Sequence, residues 1–484
     1  MSMRIEDYGL IGNCETAALV SKSGSIDWFC PPSFDSPACF AALLGTPDNG
    51  RFLIAPRDPS ARVTREYRDG TLILETRFET EGGAATLIDF MPVANGCDVV
   101  RLVVGERGQM DFYIELVIRF DYGVSVPWVT ELQDKEGILA ISGPDALVLR
   151  TPTPLHGEDL RSVGEFSVKA GETVPFVLGY ERSYGPPPAP LDPRQALAKT
   201  ETFWRDWLHP CPSVGDWGSE VKRSLLTLKA LTYGPTGGIV AAPTSSLPEV
   251  IGGARNWDYR YCWLRDAAFT LLSLMNLGYY DEAKAWRDWL LRAVAGSPAQ
   301  MQILYGVTGA KQLPERQLPW LEGYEQSRPV RVGNAAVDQR QLDVYGEVLH
   351  AIHEGQLRGM PSSRHGMDVR RAILEHMESI WREPDEGIWE VRGIPRHFTH
   401  SKVMAWVAFD RAAKMAATNG DAEIARRWRR TADDIHAEVR AKGFDEGLGS
   451  FVQFYGARKL DASLLQIPLV GFLPPTHPQV RGTL

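Results

Sequence analysis

The pattern of apolar and polar positions changes once along the chain. Over the first 180 or so residues, apolar side chains alternate with polar ones in short runs, as at 72–78 and 112–118. Runs at 99–104 and 173–180 are further strand candidates, and Gly, Pro and Asp lie between the runs. A period of two residues, interrupted by turn residues, predicts many short strands. We therefore expect an antiparallel sandwich in this part of the chain.

From about residue 217 the apolar period becomes helical. Trp286, Trp289, Leu290 and Ala293, for example, recur at spacings of three and four residues. The pattern predicts helices at 219–233, 266–277, 281–296, 337–357, 367–382, 399–418, 421–442 and 459–466. Helices of this length predict a bundle, a solenoid or an α/α barrel. The long loops between them carry Trp, Tyr and Arg, which indicates that they are functional; they span 234–258, 297–336 and 383–398.

A proline-rich segment separates the two patterns. Residues 184–193 read YGPPPAPLDP, and five prolines in ten residues cannot continue a strand or a helix interior. We interpret the segment as a linker, followed by a helix at 195–208. The predicted domains are an N-terminal β-sandwich, a linker with its helix, and a helical catalytic domain, at 1–183, 184–216 and 217–484.

Charge and cysteine usage narrow the classes of function. The formal net charge is −9 and the isoelectric point is about 5.7, which argues against binding to nucleic acid or to an anionic membrane. The sequence has no apolar run long enough for a membrane span and no signal-like N-terminus. Its six cysteines show no CxxC spacing, so we expect reduced thiols, no zinc and a cytoplasmic protein.

The first candidate site is the segment 251–266, IGGARNWDYRYCWLRD. An extended segment places alternate residues on one face, so its aromatic residues can line one surface. Arg265 and Asp266 follow directly. A flat aromatic wall beside charged hydrogen-bonding groups fits a sugar ring. The alternative is that Asp266 only caps the next helix. The alternating aromatic residues are Trp257, Tyr259, Tyr261 and Trp263.

The second candidate is Glu390, which follows Trp389 in the turn GIWEVR between two predicted helices. A carboxyl group against an indole ring loses solvation when it ionises, so its pKa rises. A raised pKa suits a carboxyl to act as a general acid near neutral pH. The alternative is an ordinary exposed loop glutamate.

The loop at 322–334 and the motif HFTH are two weaker candidates. Arg328 and Arg331 are suited to bind sugar oxygens or a phosphate, or to anchor their loop by salt bridges. Asn334 could cap the helix that follows. His397 and His400 have a spacing that metal ligands use, but no third ligand pattern accompanies them. We expect hydrogen-bonded histidines and no metal site.

Taken together, these segments resemble glycoside hydrolase family 15, the glucoamylase and trehalase family. NWDYRYCWLRD is similar to the substrate-binding motif of the family, and GIWEVRG followed by FTHSKVMAW is similar to its general-acid motif. SRPVRVGN and LDASLL also resemble family segments. YGLIGNCETAALV and SGSIDWFCPPSFDSPACFAALLG resemble the N-terminal domain of bacterial trehalase-like members. The resemblance covers nearly the whole chain.

The resemblance implies a β-supersandwich followed by an (α/α)6 barrel. It also implies hydrolysis of terminal α-glucosidic bonds, of trehalose or of maltooligosaccharides, with inversion and without a cofactor. By motif position, Glu390 would be the general acid and Trp389 would stack beside the sugar. The residues that would hold the terminal glucose are Tyr259, Trp263, Arg265 and Asp266. Arg331 would lie in the next loop, and in a trehalase Arg328 and Arg331 could hold the second glucose. In fungal members an acidic residue lies three places before the acid and a glutamate follows it, whereas this chain has Gly387 and Val391.

The end of the chain departs further from the family pattern. The barrel of the family has twelve helices, whereas eight are predicted here. Near the end of the chain, Thr476 and Pro478 resemble the start of one more helix. Inversion needs a second carboxylate about 6.5–9.5 Å from the acid. In the family that base lies on a late segment, and Glu446 is a lone loop carboxylate. We therefore expect an incomplete barrel without its general base, with low stability or homo-oligomerisation through exposed apolar flanks.

Two other functions stay open at this point. A truncated sugar-binding remnant would bind glucosides through the aromatic segment without turnover. An inverting α-glucoside phosphorylase would use phosphate in place of water.

Overall fold

The chain forms two compact units. They are seen in a computed structural model that describes residues 3–93, 96–187, 189–212, 215–360 and 364–484. The first unit comprises Met1–Pro235, Val240–Tyr261 and Pro314–Asn334, and the second comprises Thr236–Ile239, Cys262–Leu313 and Ala335–Leu484. We keep the predicted domain boundaries, 1–183, 184–216 and 217–484, as a proposal. Within the predicted linker, Pro188, Ser213 and Val214 lie outside the described residues.

The first unit is built on a 14-stranded antiparallel sheet. The long strand β8 is its hub, because residues 98–108 pair with β7 and β14 while residues 109–117 pair with β4 and β13. The strands are β1 (Tyr8–Gly12), β2 (Ala17–Ser21), β3 (Ser25–Phe29), β4 (Arg51–Pro56), β5 (Arg62–Tyr67), β6 (Leu74–Glu79), β7 (Gly83–Phe90), β8 (Asp98–Val117), β9 (Trp128–Glu131), β10 (Gly137–Ser142), β11 (Asp145–Arg150), β12 (His156–Glu158), β13 (Arg161–Lys169) and β14 (Thr173–Arg182).

Alternate residues of these strands form one apolar core. Phe112 on β8 stacks on Phe166 of β13 and meets Phe78 of β6 edge to face. A strand that passes from one layer to the other lets both layers cover a common core. The predicted antiparallel β domain is confirmed.

Two helices of the first unit follow the proline-rich segment. They are α1 (Pro193–Leu208) and α2 (Gly218–Ala230). Asp192 caps α1 by accepting hydrogen bonds from the backbone N–H groups of Arg194 and Gln195, and Pro193 occupies the first helical position. Both features are typical of helix starts.

The second unit is helical. Most of its predicted helices agree with the observed ones to within three residues. The helix predicted at 337–357 begins six residues later, at Asp343, and the stretch 459–466 holds a 3-10 turn, Ala462–Leu465, before a short helix starts at Gln466. The C-terminal helix is capped by His477 and not by Thr476, because the Nδ1 atom of His477 accepts the N–H of Gln479. The helices are α3 (Leu264–Asn276), α4 (Tyr280–Ala293), α5 (Asp343–Leu357), α6 (Arg364–Ile380), α7 (Thr399–Thr418), α8 (Ala422–Lys442), α9 (Gln466–Leu469) and α10 (Pro478–Thr483).

Burial separates inner helices from outer ones. α7 is buried over most of its length, and α5 packs against both α3 and α7. By contrast, α6 and α8 each bury one stripe and expose charged residues on the other side. A helix that is apolar on most sides belongs in a core, and an amphipathic one covers it. Within the described residues, no helix combines the length and the apolar character of a membrane span. The incompleteness of the barrel stays a prediction.

α5 and α7 approach each other closely at Gly346. A Cβ atom built on Gly346 would lie 2.2 Å from the backbone oxygen of Met404 on α7. Gly355, in the same helix, would place its Cβ 3.3 Å from the mobile end of the Met360 side chain.

These two glycines give a matched test of the inner-helix packing. We expect Gly346→Ala to lower the free energy of unfolding by about 1–3 kcal/mol or more, because the two backbones must separate. Gly355→Ala should raise the free energy of unfolding by no more than about 1 kcal/mol, because alanine favours a helix. Urea unfolding of both variants measures this, and equal effects would contradict the packing described.

Candidate active site

The first turn of α3 carries Arg265 and Asp266. The helix begins at Leu264, two residues earlier than predicted, because the backbone of Trp263 is extended and serves as its N-cap residue. Asp266 therefore lies inside the first turn, and the alternative that it caps the helix is wrong. A carboxylate in the first turn is favoured by the helix dipole.

Arg265 is the centre of a cluster of polar side chains. Its Nη1 atom donates to Oε1 of Gln341 at 3.1 Å, and its Nη2 atom donates to Oε1 of Glu390 at 3.2 Å. Carboxylate oxygens of Asp266 and Asp343 lie 3.5 and 3.8 Å from the same guanidinium. One positive charge thus faces three carboxyl groups in a half-closed site. Burial raises the pKa values of Asp266 and Glu390, and the charge of Arg265 opposes this in both.

Glu390 is held by an indole, as the sequence suggested, but by a different one. Trp263 donates its Nε1–H to Oε1 of Glu390 at 2.7 Å. Burial raises the pKa of Glu390, whereas the charge of Arg265 and the hydrogen bonds from Trp263 and Arg265 lower it. The adjacent Trp389 is half exposed and donates instead to both carboxylate oxygens of Asp461, at 3.0 and 2.9 Å. The raised pKa therefore comes from burial, and the indole that contacts the carboxylate opposes it.

The turn that carries Glu390 has an unusual backbone. Glu390 has a φ of 51°, in the left-handed region that few non-glycine residues adopt. Gly387 also has a positive φ, and a Cβ there would lie 2.6 Å from the ring of Phe398. The N–H of Glu390 donates to the oxygen of Gly387, and its own carbonyl accepts from Nε2 of Gln339. These contacts fix the direction of the Glu390 side chain.

Buried anchors hold the rest of this loop. Asp385 is fully buried, its Oδ2 accepts the N–H of Leu342, and its backbone pairs with Arg396. Burial raises the pKa of Asp385 and lowers that of Lys402. Lys402 donates to the backbone oxygens of Trp381 and Glu383. The loop is therefore tied to the starts of α5 and α7.

Two further carboxyl groups of α5 belong to the cluster. Asp343 is fully buried, and neither of its carboxylate oxygens has a hydrogen-bond partner within the described part of the chain. Glu347 lies one turn later, and burial, together with the charge of Asp343, raises its pKa to about 8. The sequence analysis missed both residues. Their spacing of four places, in a stretch otherwise apolar, was the available signal.

The two histidines of HFTH have separate environments. The ring of His397 stacks on Tyr455. His400, in the first turn of α7, is fully buried, burial lowers its pKa, and neither ring nitrogen hydrogen-bonds to any described residue. The expectation of two hydrogen-bonded histidines is wrong for His400. Its nitrogens, the Asp343 carboxylate and Oδ2 of Asp266 are all buried polar atoms that form no hydrogen bond with a described residue.

The aromatic segment is divided between the two units. Trp263 belongs to the second unit and the other three aromatic residues to the first. In the first unit Asp258 and Arg260, between the aromatic positions, form a fully buried ion pair at 2.7 Å, and Tyr261 is buried beside them in the chain. Trp257 and Tyr259 are half buried. The expected single wall of four aromatic rings therefore does not describe either unit.

Arg328 and Arg331 also lie in the first unit. Arg331 donates to the backbone oxygens of Ala254 and Asn256 and lies over the ring of Trp257. Arg328 is exposed, 4.0 Å from a carboxylate oxygen of Glu322. Asn334 donates to the oxygen of Asp258, and α5 starts only at Asp343, so Asn334 does not cap that helix. The contacts of Arg331 are those of a residue that anchors a loop.

A group of possible metal ligands lies on α5, among the described residues. Ligand atoms of His350, His353 and Glu354 lie within 4.8 Å of one another. However, two guanidinium groups contact these ligand atoms. Arg358 donates a hydrogen bond to Glu354, and Arg411 donates one to His350. Because these charges oppose a cation, we propose no metal there.

Comparison with known proteins places this geometry in a family. The family model "Glycosyl hydrolases family 15" matches residues 216–484, and the model "Trehalase-like, N-terminal" matches residues 1–157. The chain belongs to glycoside hydrolase family 15. It is a glycoside hydrolase with the N-terminal sheet domain and the helical domain that the resemblance implied.

Two similar proteins support this assignment, and one solved structure shows the same fold. A trehalase of Mycolicibacterium smegmatis is 38% identical over 99% of this chain and 76% of its own length. A trehalase of Thermoplasma volcanium is 35% identical over 99% of this chain and 78% of its own length. A bacterial glucoamylase complexed with acarbose shares the fold, with a TM-score of 0.72 at 14% identity, over 100% of this chain and 78% of that one.

The raised pKa of Glu347 predicts a pH-dependent stability. A carboxyl whose pKa is 4.5 when unfolded and about 8 when folded stabilises the fold fully only below the lower value. That stability is lost as the pH rises towards 8, at about 1.4 kcal/mol per pH unit at most. We therefore expect Glu347→Gln to gain stability over the wild type as the pH rises from 5 to 8.

Glu354→Gln serves as the control for this prediction. The Arg358 side chain helps to lower the pKa of Glu354, so its contribution is present above its unfolded pKa. Glu354→Gln should therefore lower the free energy of unfolding at neutral pH. At acid pH, where the Glu354 carboxyl is protonated, the variant and the wild type should be equally stable. Urea unfolding at several pH values measures both variants, and parallel curves for the two would contradict the assignment.

Proposed function

We propose that the protein hydrolyses the α-glucosidic bond of α,α-trehalose, with Glu390 as the general acid. The observation that supports this most is the position of Glu390, a half-enclosed carboxyl of raised pKa between the Trp263 indole and the Arg265 guanidinium. A raised pKa keeps such a carboxyl protonated to higher pH than an exposed glutamate, so that it can donate to a leaving oxygen.

The proposed step transfers the proton of Glu390 to the glycosidic oxygen as the bond to the anomeric carbon breaks. The positive charge that develops on the sugar suits a site rich in carboxyl groups. After the transfer, the N–H groups of Trp263 and Arg265 stabilise the Glu390 carboxylate. Inversion also requires a carboxylate that activates water. We assign no residue of this chain to that role, in line with the sequence analysis.

We propose that the buried polar atoms beside Arg265 bind hydroxyl groups of the terminal glucose. Oδ2 of Asp266, the carboxylate of Asp343 and the ring nitrogens of His400 are buried and accept or donate no hydrogen bond within the described residues, and the charge of Arg265 lies near the two carboxylates. A sugar hydroxyl both donates and accepts, so it can satisfy such atoms. Trp389, held at the rim by Asp461, is proposed to contact the sugar face. Tyr259, Arg328 and Arg331 stay predictions from the family motifs.

Trehalose is preferred to maltooligosaccharides on the basis of the relatives. The two proteins compared above carry the name trehalase and align with 99% of this chain. Glucose release from trehalose and from maltotriose, measured side by side, tests the preference. A higher kcat/KM on maltotriose would reverse it.

Glu390→Gln tests the general acid. We expect kcat on trehalose to fall by about 10²–10⁴-fold, because the amide cannot donate a proton to the leaving oxygen. Hydrolysis of α-glucosyl fluoride should fall much less, since fluoride leaves with little protonation. The control is Glu386→Gln in the same loop, whose carboxylate accepts the N–H of Arg340 and should leave kcat unchanged.

Three results would contradict this proposal. Equal losses on both substrates would remove Glu390 from the acid role. Glucoside binding without turnover by the unchanged chain would favour the sugar-binding remnant. Release of glucose 1-phosphate, dependent on phosphate, would favour the phosphorylase.

Trp263→Phe tests the electrostatic part of the proposal. The indole N–H stabilises the ionised form of Glu390, so its loss should raise the pKa of the acid further. The alkaline limb of the kcat profile should then move to higher pH. Trp286→Phe is the control, because Trp286 is equally buried in the same unit but lies on α4 and does not contact Glu390. A shift to lower pH, or the same shift in both variants, would contradict the role of Trp263.

A further inference from the structure

A large cavity lies in the first unit. Its volume is about 710 Å³, and its walls are the edge strand β9, residues 152–157 and residues 160–162. Ligand sites for small molecules have cavities of roughly 300–1,000 Å³, with apolar walls and a few convergent polar groups.

One wall of this cavity offers a flat aromatic surface. Trp128, the first residue of β9, is 78% exposed, although large aromatic side chains are usually buried. Pro127 and Pro154 line the cavity nearby. Leu160, at the tip of the β12–β13 hairpin, is 73% exposed and has a positive φ of 59°. The strained turn thus holds an apolar side chain outward beside the indole.

The inner part of the cavity has buried polar atoms without partners. Oγ1 of Thr153 has no hydrogen bond to any described residue, and Thr153 is only 6% exposed. Nε of Arg161 is likewise buried and unpartnered, while Glu115 and Asp48 fix the rest of its guanidinium. An unsatisfied buried polar group costs about 1–3 kcal/mol, so a ligand that supplies its partner is favoured.

Besides Thr153 and Arg161, Arg119 offers hydrogen-bond donors to this cavity. Its side chain is buried, and Nη1 donates to the backbone oxygens of Ile118 and Leu160. Within the described residues, no carboxylate forms an ion pair with it. A guanidinium has five N–H donors, so Arg119 can hold a further oxygen-rich ligand while it fixes the hairpin tip.

We propose that this cavity, formed by β9, residues 152–157 and the β12–β13 tip, is a saccharide-binding site separate from the catalytic cluster of the second unit. The apolar face of a pyranose would stack on Trp128, and its hydroxyl groups would bond with Thr153, Arg161 and Arg119. A saccharide fits because it combines apolar C–H faces with a rim of donors and acceptors. The choice of gluco-oligosaccharides as probes rests on the proposed function.

The test uses the full chain labelled with 5-fluorotryptophan, observed by ¹⁹F NMR. Trp128→Phe identifies the Trp128 resonance by its disappearance. On titration with trehalose or maltotetraose, we expect that resonance to shift in a saturable way in a Glu390→Gln background, which prevents turnover. The resonance of Trp217 should stay in place, because Trp217 is 71% exposed in the same unit but does not line the cavity.

Two variants then separate this site from the catalytic cluster. Thr153→Val should weaken the saccharide affinity read at Trp128 by about threefold to tenfold, because it removes a hydrogen-bonding group and keeps the shape. Asp266→Asn should leave the Trp128 titration unchanged. Thr153→Val should be at least as stable as the wild type in urea unfolding, because it removes an unsatisfied buried hydroxyl and no protein hydrogen bond.

Several outcomes would overturn the proposal. A Trp128 resonance that no saccharide moves, while resonances of the second unit shift, would confine sugar binding to the catalytic cluster. A titration at Trp128 that Asp266→Asn abolishes would show that only one site exists. A Trp128 shift that follows protein concentration alone would identify this face as an interface between copies of the chain.

Discussion

The charge balance around Arg265 is the constraint on which the candidate active site depends. One guanidinium faces Asp266, Asp343 and Glu390, with Glu347 one turn behind. In water four carboxyl groups would ionise at neutral pH, but burial penalises each negative charge. The pKa values of Asp266, Glu347 and Glu390 are all raised as a result. A site that raises the pKa of its carboxyl groups retains their protons to higher pH, and one of these groups can then deliver a proton to a substrate.

The fold creates this cluster through the amino ends of its inner helices. The first turns of α3, α5 and α7 supply Arg265 with Asp266, then Asp343, then His400. The positive end of each helix dipole partly compensates the buried carboxylates. Gly346 lets α5 approach α7 closely, which brings these ends together. The electrostatics of the site therefore depend directly on the packing of the inner helices.

Local sequence was enough to predict the elements and several site residues, because helix periods, proline and short motifs act over a few positions. It could not identify which indole contacts Glu390. Trp389 adjoins Glu390 in the chain, but the indole that donates to it belongs to Trp263, 127 residues away. Likewise, the alternation around Trp257 and Tyr259 was visible, yet the burial of Asp258 with Arg260 depends on packing within the first unit. Contacts between distant residues decided each of these cases.

The backbone at Glu390 shows how such contacts replace local preference. A glutamate in the left-handed region pays a conformational cost of about 1–3 kcal/mol, and its own neighbours offer no compensation beyond one turn hydrogen bond. The conformation persists because Gln339 holds its carbonyl and the Asp385 carboxyl anchors the loop to the start of α5. A freely relaxing turn could direct the carboxyl into solvent, where its pKa would be ordinary. The strained turn therefore contributes to the proposed acid function, because it holds the Glu390 carboxyl where burial and Arg265 determine its pKa.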